Sequence, residues 1–146
     1  MNEMLLAYAL LLEAEFISSS EYKEHLNALF MNSSNNDLLL ELEWCSSDTQ
    51  KTKGMIFEYS REHEIDFDIF GSFLMQSLKN IYNQIDVDIK TFNSKIIIIW
   101  SKLPNEITKI EPFWSMSYAG EPLTWGDVQQ TQDIYEKMFN FYSDPR

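Results

Sequence analysis

Apolar residues recur along most of this chain at intervals of three and four, the spacing of one face of an α-helix. Tyr22, Leu26, Leu29 and Phe30 form one such stripe, and Ser18 with Glu21 makes a capping box ahead of it. The polar run Asn32-Ser33-Ser34-Asn35-Asn36 ends that helix and starts another. From Leu38 to Trp44 the apolar residues alternate as a strand would, but Leu and Glu favour helix, so a short helix is expected. Asp48 is placed as the N-cap of a helix that carries Ile56 and Tyr59 on one side and ends near His63. The clearest amphipathic pattern runs from Asp66 to Ile85 through Phe70, Phe73, Leu74, Leu78, Ile81, Tyr82 and Ile85. Gly71 weakens it by about 1 kcal/mol relative to alanine.

The segment Lys95-Ile96-Ile97-Ile98-Ile99-Trp100 is the hard case. Four consecutive β-branched residues read as a central strand by propensity, yet no other segment is a convincing partner for it. Phe92, Ile96, Ile99, Trp100 and Leu103 fit a helical face, and Pro104 would stop the helix. A buried helix over 89–102 is the favoured reading, with a short strand at 95–100 as the alternative. Near the C-terminus, Thr124 is read as an N-cap with Asp127 three residues on, and Leu123 with Val128 as a hydrophobic staple. Val128, Thr131, Tyr135, Met138, Phe139 and Tyr142 continue that final helix. The pattern therefore predicts an all-α bundle of about six helices, one domain over 1–146, against an α+β alternative.

The opening MNEMLLAYALLLEAEFI has the apolar run of a signal peptide but carries Glu3 where a basic residue belongs and lacks a small-residue cleavage pattern. The run from Met4 to Leu12 is too short to cross a bilayer, so it is read as a buried helix. A chain of 146 residues can bury roughly two-thirds of its unfolded surface without disulfides or metal. Its one cysteine, Cys45, rules out an intrachain disulfide and favours a reducing, cytoplasmic setting.

The net charge of −12 is unevenly spread: residues 1–36 carry −4, 37–68 carry −6, 69–110 carry +2 and 111–146 carry −4. Such a chain repels nucleic acid and anionic membranes and attracts a basic partner. Acidity also serves solubility, and by itself it selects no function.

Motifs for catalysis are missing from the sequence. There is no Gly-x-Ser-x-Gly elbow, phosphate-binding loop or dinucleotide fingerprint. His25 and His63 have no metal-like neighbour at helical spacing, and a structural histidine is the plainer reading of both. The stretch Glu62–Asp68 lacks the glycine and terminal glutamate of a calcium-binding loop. Glu13 with Glu15, Glu41 with Glu43, and Asp86 with Asp88 are two residues apart, so on a helix they diverge by about 200° and read as solvated faces. Cys45 has no neighbouring basic residue to make it nucleophilic. No catalytic residue, metal ligand or cofactor is expected.

What remains is aromatic. Trp114, Tyr118 and Trp125 fall in a proline-bearing loop, not on a periodic face. Either they plug the end of the bundle or, exposed beside carboxylates, they form hot spots for a basic partner. In the second case Glu62, Glu64, Asp66, Asp68, Glu121 and Asp127 supply ion pairs and hydrogen bonds, which completes a candidate partner-binding set.

The runs Trp100-Ser101-Lys102-Leu103-Pro104, Glu111-Pro112-Phe113-Trp114, Tyr118 to Asp127 and Tyr135-Glu136-Lys137-Met138-Phe139 resemble small bacterial immunity proteins, and Leu38 to Cys45 is similar to the same group. These are the cytoplasmic antidotes of polymorphic-toxin and contact-dependent growth-inhibition systems. The resemblance implies function by sequestration: one-to-one binding of a toxin's C-terminal domain, often a basic nuclease, with its active site or substrate surface blocked. It implies no enzyme activity, no direct contact with nucleic acid and no membrane partner, and it transfers no binding residue. Two rivals stand beside it. One is an acidic nucleic-acid mimic that inhibits a DNA-binding protein, and the other is an enzyme with an unrecognised site.

Overall fold

A helix starts where a side-chain oxygen takes up backbone N–H groups that have no partner within the helix. The computed structural model describes residues 2–32, 36–84 and 86–143. Within them the chain forms α1 (Asn2–Glu13), α2 (Ser19–Asn32), α3 (Asp37–Trp44), α4 (Thr49–Glu62), α5 (Phe67–Tyr82), α6 (Ile89–Lys102), α7 (Phe113–Tyr118) and α8 (Val128–Phe139), with no strand. Before α2, the Ser18 N–H donates to Glu21 Oε1 and the Glu21 N–H donates to Ser18 Oγ, both at 3.1 Å, a complete capping box. Asn36 caps α3, Asp48 caps α4 and Asp88 caps α6 through one side-chain oxygen each. Two hydrogen bonds, from the Thr91 hydroxyl and the Lys90 N–H, hold the Asp88 carboxyl below the usual range.

The fold is all-α, as the periodicity predicts, with eight α-helices among the described residues where about six are expected. Segment 95–100 lies within α6, so the strand alternative is not realised. Its inward side is Phe92, Ile96 and Ile99, while Ile97 and Ile98 face solvent. Of the four consecutive isoleucines only Ile96 and Ile99 are buried, three apart, which is helical spacing.

The start of α8 differs from expectation. Glu121–Trp125 is a short 3₁₀ helix, and Thr124 donates its hydroxyl to the Glu121 carbonyl at 2.7 Å instead of capping. Gly126, at φ 80°, takes the left-handed conformation that closes this turn. Asp127 is the N-cap, accepting from the Gln130 N–H at 3.0 Å. Val128 thereby becomes the first helical residue and is exposed, so the staple with Leu123 does not form. The expected extension of α5 to Ile85 ends at Tyr82; Ile85 lies outside the described residues, as does the 33–35 part of the polar break.

The chain divides into two compact units, Met1–Asp66 and Phe67–Arg146. In the first, α1 is apolar nearly all round, burying Leu5, Leu6, Ala7, Ala9, Leu10, Leu11 and Leu12 against neighbours that include α2 and α4. Tyr22 of α2 is wholly buried, and its hydroxyl is hydrogen-bonded to that of Thr52 on α4. Lys53, nearly buried, pairs with Glu13 at 2.6 Å.

The second unit is built round an aromatic cluster. Tyr82, Phe92, Tyr135 and Phe139 meet with ring centroids 5.1–6.1 Å apart, mostly edge to face, and join α5, α6 and α8. Tyr135 donates its hydroxyl to Asn93 Oδ1 at 2.6 Å. The Asn93 amide in turn lies against Gly120, where an added Cβ would meet its atoms at 2.0–2.4 Å. Gly71 on α5 is buried against the ring of Tyr142, so its absence of a side chain makes room and is not merely a weak point of the helix.

Two outcomes follow. Gly120→Ala should destabilise the second unit by about 1–3 kcal/mol in urea unfolding, because the displaced Asn93 leaves a buried phenol without its acceptor. Burial pushes the Tyr22 phenol up to about 12 and raises that of Tyr135 in the same direction. An unfolded phenol titrates near 10, so the stability these groups contribute is complete below about pH 10. The Tyr22 part is lost as the pH rises through about 12, and the Tyr135 part at higher pH still. Denaturation midpoints followed from pH 8 to 12 should fall above pH 10, and Tyr22→Phe should flatten that fall.

Candidate recognition surface

α7 is six residues long and is held by its buried half. Phe113 and Met116 point inward, and the Phe113 ring stacks on Phe70 of α5 at 5.9 Å. The Thr131 hydroxyl of α8 donates to the Ala119 carbonyl at 2.7 Å, which fixes the end of α7 to the next helix. Between these anchors Trp114 faces outward and Tyr118 is half-buried, while Ser115 is buried.

Trp114 is 41% exposed, Ile110 51% and Trp125 64%. Trp114 packs edge-on against Trp100 at 6.4 Å and lies 6.5 Å from the ring of Tyr118, one turn along. Trp100 is itself fixed, since its indole N–H donates to the Thr108 carbonyl at 3.1 Å. The buried Ser115 hydroxyl donates to the Glu111 carboxylate and sits 3.3 Å from the Tyr118 hydroxyl. A row of rings with settled orientations thus meets solvent, bordered by the carboxylates of Glu111 and Glu121. Such rings can cover apolar side chains and take a cation over their faces.

The sequence places Trp114 and Tyr118 in a loop; the structure places them on a helix, four residues apart, and so brings them together. Glu121 and Trp125 are exposed on the 3₁₀ turn that follows. Asp127 is half-buried and has one oxygen engaged as the α8 cap, so its role in order is plain. Glu62 ends α4, Glu64 and Asp66 lie in the link after it, and Asp68 is in the first turn of α5, all of them exposed. Glu62, Glu64 and Asp66 belong to the first unit and the other six candidates to the second.

Other groups weighed from sequence have structural surroundings. His25 stacks on Tyr8 at 4.6 Å, and His63 stacks on Tyr59 at 3.7 Å with Nδ1 2.9 Å from the Tyr59 carbonyl oxygen. Cys45 is half-buried with Sγ 3.4 Å from the sulfur of Met55. Among the described residues no three His, Cys, Asp or Glu are grouped to hold a metal ion. No described helix is long and apolar enough to cross a membrane.

A cleft of about 520 Å³ in the first unit is lined by Glu13, Glu15, Phe16, Ser18, Glu21, Thr49 and Lys53, among others. Its charges are met from within. Lys53 is paired with Glu13, Glu21 closes the capping box, and the N-terminal ends of α2 and α4 bring partial positive charge to the acids.

Trp44 is an exposed indole that the candidate set leaves out. Counted among the apolar residues of 38–44, it is 82% exposed at the end of α3. The signal was present in the helical reading itself, because Leu39 and Leu42 can be buried together only if Trp44 points away.

Comparison of the chain with protein-family models, curated proteins and solved structures gives no match.

Trp125→Ala should change unfolding free energy by less than about 0.5 kcal/mol, as for an exposed residue. Phe113→Ala should cost about 3–5 kcal/mol by opening a cavity beneath α7. Urea denaturation of both variants checks this division between anchor and surface.

Proposed function

We propose that the chain is an immunity protein that binds a basic toxin domain one to one and blocks its active site or substrate surface. The observation that carries this reading is the pair of rings at Trp114 and Tyr118, 6.5 Å apart on α7 and held by contacts with Trp100 and Ser115, with Trp125 exposed on the turn that follows, on an acidic chain. Rigid indoles lose little conformational freedom on binding, and tryptophan is among the residues that dominate interface energetics. Acidic groups around them attract a surface built for phosphates and speed encounter with it. The resemblance of the Trp100–Pro104, Glu111–Trp114 and Tyr118–Asp127 runs to immunity proteins supplies the biological setting, a bacterial cytoplasm in which the toxin must be silenced.

The test is co-expression with the toxin module encoded immediately upstream, followed by binding of the two purified proteins. Protection of growth and a one-to-one complex are expected, with association slowing as salt shortens the screening length below about 8 Å. Trp114→Ala and Trp125→Ala should each weaken the complex by about tenfold or more while leaving the fold intact. Absence of both binding and protection overturns the proposal.

A further inference from the structure

The eight residues of α3, DLLLELEW, carry three acids and no cation. Leu39 and Leu42 are wholly buried and define its inward direction. At about 100° per residue, Trp44 lies about 170° from that direction and Leu40 about 130°. Leu40 and Trp44 are one turn apart, 38% and 82% exposed, so they form one apolar strip on the water side. Asp37 and Glu41, also one turn apart and exposed, run beside it as an acidic strip.

We propose that this outward face of α3 is a docking surface for a basic protein segment bearing apolar side chains. Charge decides the occupant. A second copy of the chain would bring Asp37 and Glu41 against their own counterparts, within a stretch, 37–68, that carries −6. A segment with lysine or arginine beside leucine-like residues meets both strips at once. Its apolar groups cover Leu40 and the indole, and its cations reach the carboxylates or the indole face. Trp44, the last residue of α3, offers the largest and most exposed side chain to that contact, and tryptophan is among the residues that dominate interfaces. The surface requires a basic partner but not that the partner be a toxin, so it stands or falls separately from the function proposed above.

The full chain, isotope-labelled for NMR, is titrated with three short synthetic peptides. One is amphipathic in leucine and lysine, one has the same pattern in leucine and glutamate, and one has lysine and glycine alone. The leucine–lysine peptide should shift the Trp44 indole N–H and the Leu40 amide. The lysine–glycine peptide should bind about tenfold more weakly, and the leucine–glutamate peptide not at all. Trp44→Ala and Leu40→Gln should each weaken the first peptide by about tenfold, and Glu41→Lys should weaken it too, whereas Trp114→Ala should leave it unchanged. Shifts spread over the acidic surface without preference for α3 would overturn the proposal. So would unaltered binding by both Trp44→Ala and Leu40→Gln, or a wild-type dimer in sedimentation that Trp44→Ala dissolves.

Discussion

A tyrosine that is wholly buried carries a hydroxyl that must find its partner inside the protein, and each unit of this chain is organised round one. Tyr22 reaches across from α2 to Thr52 on α4; Tyr135 reaches from α8 to Asn93 on α6. A buried hydroxyl without a partner costs a few kcal/mol, so each bond fixes the distance and rotation between two helices more narrowly than apolar packing does. In the second unit the constraint propagates. Asn93 is held against Gly120, Gly120 opens the 3₁₀ turn, and Ala119 just before it accepts from Thr131 of α8. The exposed rings of α7 therefore rest on a chain of contacts that begins at a phenol.

Local signals were legible where a residue's own chemistry decides its role. Ser18, Glu21 and Asp48 announce helix starts because their side-chain oxygens reach only a few residues along the backbone. The stripe of α5 and the end of α6 before Pro104 are equally plain. Thr124 and Asp127 show the limit of such reading. Both residues can cap, and the choice fell to Asp127 because Gly126 takes a left-handed conformation that ends one turn and resets the chain for the next helix. Local pattern alone does not say which of two caps a following glycine will favour.

The candidate surface was half legible. Residue types named Trp114, Tyr118 and Trp125, but proline-bearing sequence suggested a loop, and six residues are too few for a period to declare itself. What makes α7 helical is tertiary: Phe113 on Phe70 and the grip on Ala119. Trp44 is the opposite case. Its place in the alternating apolar run left its direction open, and the rotation fixed by Leu39 and Leu42 turns it outward. Hydrophobicity is a one-way guide, since a large apolar residue on a short helix has few inward positions to share.

Short helices explain why these rings are exposed at all. α3 and α7 each bury two or three side chains, enough to fix them when neighbours supply the remaining contacts. The other positions are released from packing, and here they hold tryptophan where lysine or glutamate would be cheaper to solvate. An indole at such a position adds little to folding and carries a standing risk of self-association. Acidic neighbours offset that risk: Asp37 and Glu41 beside Trp44, and Glu111 and Glu121 beside the α7 rings, oppose contact between copies through like charge. The same carboxylates favour a basic surface. Like charge opposes contact between copies and opposite charge favours a cationic surface, and both proposed surfaces draw on that asymmetry of sign.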